Sequence, residues 1–348
     1  MNNNCPPPVD VIPCQNQDHS RWDAFVEQCP SATFFHKVGW QEVLATTFGH
    51  RPYYFLAQRN GKICGVLPLF HVKSLLFGNA LSSLPFLVYG GVAATDPEAE
   101  IALENKAQLL AQQLNVDHLE MRNIEPGNDN WLVKDLYYTF RKEISADPDA
   151  NLMAIPRKQR AEVRRGIKKG LTSRIDSGVD LCYDLYAESV RNLGTPVFGR
   201  KLFHQIQKVF GEQCQSLIIE HEGKPVCSVL SYTFRDQVLP YYAGATPEVR
   251  RLGGFAFMYW DLMNRAAADG ARLFDFGRSK KDAGSFKFKK YFGFEPEPLH
   301  YQYYLVKADG LPNVSPTNPK YRLFISLWKR LPLPISKVMG PWIARSLG

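Results

Sequence analysis

The chain has no C-x-x-C pair, and its seven cysteines, at 5, 14, 29, 64, 182, 214 and 227, follow no regular spacing. Neither a disulfide framework nor a zinc site is expected from that scatter, which suits a reducing compartment. The eight histidines show no metal-ligand spacing and there is no G-x-S-x-G, so neither a bound metal nor a serine triad is expected. The opening MNNNCPPPVDVIPCQNQDHS lacks a basic segment followed by an apolar run, so no signal peptide is read and a cytoplasmic location is expected. Charge is missing from the 22 residues between Lys73 and Asp96, long enough by length alone to cross a bilayer. Gly78, Asn79, Ser82, Ser83, Pro85, Gly90 and Gly91 interrupt that run, which therefore reads as buried strands and turns. Acidic residues are absent from 310–348.

What is present is an ordinary globular composition, with 45% hydrophobic and 22% charged residues in a chain of 348, long enough for two domains. The formal charge of +8 is uneven. From Ala154 to Ile175 there are eight Lys/Arg against one acid, and from Gly310 to Gly348 six against none, so the basic character belongs to two patches.

The stretch Tyr241 to Glu295 organises the rest. It reads as strand, basic Gly-bearing loop, helix, strand, loop and lysine-rich helix. Phe255, Met258, Tyr259, Leu262, Met263 and Ala266 recur at the spacing of one buried helix face, Asp261 and Arg265 form an i,i+4 pair, and Gly270 stops the helix. Ahead of it, Arg251-Leu252-Gly253-Gly254-Phe255-Ala256 has the form R-x-x-G-x-A. Glycine admits close backbone approach, the first helical N–H groups lack internal partners, and the helix dipole favours negative charge there. The pattern suits a pyrophosphate; an ordinary Gly-rich turn capping a core helix is the competing reading.

Along the chain, residues 1–20 read as a poorly ordered Pro/Asn/Gln-rich start, followed by helices near Ser20 to Gln28 and Val38 to Phe48. Asn60-Gly61 between two apolar runs is a hairpin cue. A helix from Pro97 to Leu114, a strand from Asp117 to Arg122, a strand from Tyr137 to Arg141 and a linker from Ser145 to Asn151 complete the first half. The second half repeats the plan, since Gly223-Lys224-Pro225-Val226-Cys227 echoes Gly61-Lys62-Ile63-Cys64. Four segments follow: 1–20, a first domain over 21–150, a second over 151–308, and a basic amphipathic tail over 309–348.

On Phe35 to Trp40, Gly65 to Leu69, Ser83 to Phe86, Tyr89 to Gly91, Arg157 to Gly170, Asn192 to Pro196, Phe274 to Ser279 and Phe286 to Phe294, the chain resembles the FemAB family of aminoacyl transferases and the related BioF2-like acetyltransferase domain. Within these it is similar to the FemAB-related proteins associated with PEP-CTERM/exosortase and exopolysaccharide systems. The resemblance implies an α/β (α+β) fold of two tandem GNAT-like domains with mixed central sheets, and in the second two strands that splay to admit the donor's pantetheine arm. It implies a donor site in the second domain and a degenerate one in the first, which would serve the acceptor. Acyl-CoA is the first donor and aminoacyl-tRNA the second, each as substrate, with no permanently bound cofactor. A small-molecule or lipid-linked glycan or peptide acceptor is expected, and DNA is not. Typical GNAT enzymes carry a tyrosine where this chain has Lys289, so the leaving-group acid falls to Lys289 or Tyr291.

Those implications set the candidate residues: Lys289, Tyr291 and Asp275 as catalytic, and Arg251, Gly253, Gly254, Ala256 and Tyr242 for the donor. Arg160, Arg164, Lys168, Arg200, Arg278 and Lys287 are candidates for the acceptor or another anion. Arg157, Arg160, Arg164 and Lys168 share one helical stripe, with Val163, Ile167 and Leu171 as its buried edge, and stacked like charges argue for an anionic partner such as a phosphorylated acceptor, tRNA or lipid. The tail, basic and aromatic and broken by Pro332, Pro334 and Pro341, suits the surface of an anionic membrane, which would place the protein on the membrane's inner face. The expected activity is transfer of an acyl or aminoacyl group to an amine of a cell-envelope or exopolysaccharide precursor. A non-catalytic adaptor for exopolysaccharide machinery is the competing class.

Overall fold

The computed structural model describes residues 7–74, 78–312 and 325–345, which divide into two units, 7–135 with 299–312 and 136–298 with 325–345. The first unit's main sheet runs Asp10–Pro13, Arg51–Arg59, Lys62–Ser74, Gly78–Ser83, His118–Asn123, His300–Leu305, Leu132–Val133, with Ala93–Ala94 added on Lys62–Ser74. Helix Pro97–Gln113 packs on it through Ala99, Leu103, Ala107 and Leu110. Asp96 caps that helix, accepting from the Ala99 N–H at 3.0 Å. The Arg59 guanidinium, 2.6 Å away, holds the Asp96 carboxyl down at about 2.

In the second unit the sheet order is Thr172–Asp176, Cys214–His221, Lys224–Phe234, Gln237–Ala245, Leu273–Asp275, Arg141–Glu143. A small sheet joins Ser279–Lys280, Tyr137–Thr139 and Glu297–Pro298. Its core gathers Val163, Leu217, Val229, Met258, Leu262, Phe274 and Phe292 between sheet and helices.

The duplication is visible in detail. Each unit's hairpin turns on two residues of positive φ, Asn60 (48°) and Gly61 (75°) in the first, Glu222 (53°) and Gly223 (73°) in the second. Each then carries a one-residue bulge at the same offset from its turn glycine, at Cys64 and at Val226. Each also has one parallel pair joined through a helix, Ala80 to Ser82 with His118 to Glu120, and Gln237 to Val238 with Leu273 to Phe274.

Several expectations are corrected. Asp10–Pro13 is not poorly ordered: Val11 and Ile12 pair antiparallel with Ala57 and Leu56 at the sheet edge, which the surrounding Pro and Asn hid; residues 1–6 lie outside the described residues. The division between units falls at 135/136 rather than 150/151, and 299–312 returns to the first unit because His300–Leu305 pairs with His118–Asn123 along its whole length. Residues 148–154 form a helix rather than a linker, capped by Asp147, whose side chain accepts from the Asp149 N–H at 2.9 Å. The strand expected from Tyr137 to Arg141 is two, Tyr137–Thr139 and Arg141–Glu143, serving different sheets. In the tail, helix Leu333–Ala344 runs through Pro341 rather than ending there, and Pro332 and Pro334 stand at its N-cap and first turn, where proline costs no helical hydrogen bond, rather than breaking it. The beginning of the tail, 313–324, lies outside the described residues. No described helix is long and apolar enough to cross a membrane.

Candidate functional site

The strand Gln237–Ala245 pairs in parallel with Leu273–Asp275 only at Gln237 and Val238. Beyond that point Asp275 turns its other edge to Arg141, while Leu239 to Ala245 keep their partners on Lys224–Phe234. The two strands therefore part, as the resemblance implied, and among the described residues no strand lies beside the edge of 239–245 facing the gap. Opposite the parting, the register between Leu230 and Ser231 shifts so that Tyr241 is an extra residue, a bulge that sharpens the twist where the gap begins.

Helix Gly254–Ala268 starts beside this strand's end. Its first i to i−4 bond runs from the Phe257 N–H to the Gly253 carbonyl at 3.1 Å. The N–H groups of Gly254, Phe255 and Ala256 precede it and meet no acceptor among the described residues. Gly254 and Ala256 are buried, and a buried amide without a partner is costly. Such a group of amides asks for an anion.

The glycines also serve packing. Gly253 has φ +71° and a Cβ there would lie 2.4 Å from the Glu162 carbonyl oxygen, so helix Arg157–Lys168 sits directly on the turn. On that helix Val163 and Gly166 are the buried residues; Ile167 is 47% exposed, because a Cβ at 166 would come within 2.8 Å of Phe257 Cβ and the close face belongs to glycine. Arg251 is exposed, with Glu248 at 4.0 Å.

At the exit of Leu273–Asp275 the buried Asp275 carboxylate accepts from the Gly277 N–H at 2.7 Å and the Thr139 hydroxyl at 3.4 Å. Lys289 reaches the same turn from helix Gly284–Tyr291, and its Nζ donates to the carbonyls of Phe276 (2.8 Å), Gly277 (2.9 Å) and Arg278 (3.1 Å). The rings of Phe140 and Phe276 lie 5.4 and 5.8 Å from it. Burial pushes the Lys289 ammonium down to about 7, with Asp275 opposing the fall and Arg278 adding to it. Lys289 is thus a clamp on the strand exit, and Tyr291, on the same helix, is the exposed one of the two. Arg278 stacks over the Tyr137 ring at 4.5 Å, and Lys287 is exposed.

The remaining candidates separate. Tyr242 is a core aromatic among Tyr186, Phe203 and Tyr241, and burial lifts its phenol well above the usual range. Arg200 pairs with Asp180 and with Asp184 at 2.6 Å and lies over Tyr183 at 4.5 Å, so its charge is held within the unit. Arg160 donates to the Ile155 carbonyl, whereas Arg164 and Lys168 are exposed. Thr139 and Gly277, which complete the Asp275 turn, are not among the candidates: Thr139 meets Asp275 only across 136 positions of sequence, and Gly277, two residues on, contributes a backbone N–H that no side-chain pattern announces. No group of His, Cys, Asp or Glu among the described residues has the makings of a metal site.

Residues 157–290, which hold both the parting strands and the Gly254 helix, match the family model of the acetyltransferase (GNAT) domain. No curated protein matches the chain. Among solved structures it is similar to FemX, at 16% identity over 91% of this chain and 100% of that one, with a TM-score of 0.64. L-PGS from Bacillus licheniformis aligns at 13% identity over 90% and 97% of the two chains, with a TM-score of 0.55. A tandem GNAT protein from the clavulanic acid biosynthesis pathway aligns at 13% identity over 87% and 100%, with a TM-score of 0.53. At these identities the likeness is one of fold.

Proposed function

We propose that the acetyltransferase (GNAT) domain of residues 157–290 moves an acyl or aminoacyl group from an activated donor, acyl-CoA first, to an amine of a cell-envelope or exopolysaccharide precursor. The observation that carries this reading is the set of three amides, at Gly254, Phe255 and Ala256, left without acceptors beside strands that part after Val238. A diphosphate on those amides would satisfy the helix opening, and Arg251 is exposed next to them to add charge. The donor's acyl arm then lies along the unpaired edge of 239–245. An acceptor amine adds to the acyl carbonyl, edge N–H groups stabilise the oxyanion, the attached nitrogen gives up a proton to water, and the tetrahedral species collapses to the amide as the carbon–sulfur bond breaks and the departing sulfur takes up a proton. Asp275 and Lys289 fix the facing strand exit, and the exposed phenol of Tyr291, on the same helix, is the candidate to deliver that proton.

The exposed Arg157, Arg164 and Lys168 favour aminoacyl-tRNA as the second donor. Isothermal titration separates the two. CoA is expected to bind the full chain, and Arg251→Glu, an exposed position where the fold is not at stake, to weaken it at least about tenfold by reversing one phosphate contact. Retention of tRNA with no CoA heat would transfer the donor site to aminoacyl-tRNA. Binding of neither would sink the transfer reading and leave the adaptor.

A further inference from the structure

Helix Leu333–Ala344 is amphipathic the wrong way round for a core helix. Ser336, Gly340 and Ala344, spaced at i, i+4 and i+8, are its buried residues. Ile335, Val338, Met339 and Trp342, at i, i+3, i+4 and i+7, face away and are 44%, 69%, 46% and 79% exposed. A surface helix ordinarily turns its large apolar side chains inward. Here small ones are inward because the backbone is pressed close: a Cβ at Gly340 would lie 2.6 Å from the Val197 carbonyl oxygen. Lys337 fixes the rotation of the helix, donating to Asp184 at 2.6 Å and lying 5.5 Å from the Tyr183 ring. The outward stripe is therefore held in place, not left to find a core.

We propose that this stripe is a docking face for the surface of an anionic lipid bilayer. Charge selects the occupant. Lys329, Arg330 and Arg345 flank the stripe and are exposed, and no Asp or Glu occurs anywhere in 310–348. A second copy of the chain, packed face to face about a twofold axis, would set those cations against themselves. A bilayer bearing phosphatidylglycerol accepts both features, taking the apolar stripe into the acyl boundary and the cations against the headgroups. Trp342 supplies an interfacial anchor at the C-terminal end of the stripe.

The test is flotation of the full chain on vesicles of phosphatidylcholine alone and of phosphatidylcholine with phosphatidylglycerol. The chain is expected to float with the anionic vesicles and to be released by salt. Val338→Ser with Trp342→Ser is expected to lower the bound fraction at least about tenfold without changing the thermal melt, since both side chains point away from the protein. Trp342 is the exposed tryptophan, so a blue shift of emission with anionic vesicles, absent in Trp342→Ser, places that residue in the lipid. Equal flotation of the wild type and the double variant would overturn the proposal, as would equal binding to neutral vesicles. Self-association that the double variant abolishes, with no vesicle binding, would instead give the face to a second copy. None of these readouts depends on acyl transfer, so failure here and failure of the CoA titration are separate results.

Discussion

At the residue scale, Lys289 is where burial and hydrogen bonding oppose each other. Losing water disfavours the ammonium, while three carbonyl acceptors suit its three N–H donors and a neutral amine would strand one of them. With the folded value down at about 7 and the unfolded one in the ordinary lysine range near about 10.4, the unfolded chain binds more protons between those limits. Below that window the amine is charged in both states and the folded protein bears the full cost of burying it. As pH rises through it, the folded amine gives up its proton first and stability climbs. Lys289→Met removes the titration and leaves three carbonyls unmet, at about 1–3 kcal/mol each. The expected result, read by urea unfolding, is a variant less stable than wild type by a margin that widens from pH 7 to pH 10. A margin constant across that range would mean that the carbonyls hold the folded amine as basic as a free one. Which role Lys289 has is not legible in the sequence: a lysine is readable on the right helix, but Phe276 to Arg278 are brought under its Nζ only by the tertiary fold.

At the scale of elements, the turns were legible and the packing was not. Asn60-Gly61 and Gly223 announce hairpins because positive φ at both turn positions is a local requirement, and the Asp261–Arg265 pair and the stop at Gly270 (φ 95°) are likewise local. Gly244 carries no such signature. A Cβ there would lie 2.2 Å from the Tyr186 N and 2.4 Å from the Leu185 carbonyl oxygen, so helix Asp180–Leu193 rests its backbone on the strand that borders the gap. Backbone atoms cannot swing aside as a long side chain can, and Gly244→Ala must lift the helix or bend the strand. Destabilisation of about 2–4 kcal/mol is expected, with weaker CoA binding in whatever fraction stays folded. Gly178→Ala, where nothing lies within 4 Å, serves as the control and should leave the melt within about 0.5 kcal/mol of wild type. A neutral Gly244→Ala would show that the helix does not seat there.

At the scale of the whole molecule, the two repeats are readable from their echoing hairpins, but the path of the chain between units is not. Strand His300–Leu305 comes after the entire second unit and belongs to the first, pairing with His118–Asn123 and, at Gln302 and Tyr303, with Leu132–Val133. Side-chain ties reinforce it: the Tyr301 hydroxyl donates to the Val88 carbonyl at 2.5 Å, and Gln302 takes a bond from Asn123 at 2.7 Å while giving one to the Asn128 carbonyl at 2.8 Å. A pairing of such sequence separation leaves no local mark, which is why a division by sequence assigned these residues to the second domain. It also makes the first unit discontinuous, so residues 7–135 do not contain their own complete sheet. Ending the chain after Pro298 would turn His118–Asn123 into an edge, expose Met121 and Leu119, and leave Asn123 and the Val88 carbonyl without these partners. Hydrogen exchange is expected to find His118–Asn123 fast in that truncated chain and slow in one ending after Pro312, which keeps the strand. Equal protection in the two would mean that the first unit closes its sheet without the returning segment, and the discontinuous division would then be wrong.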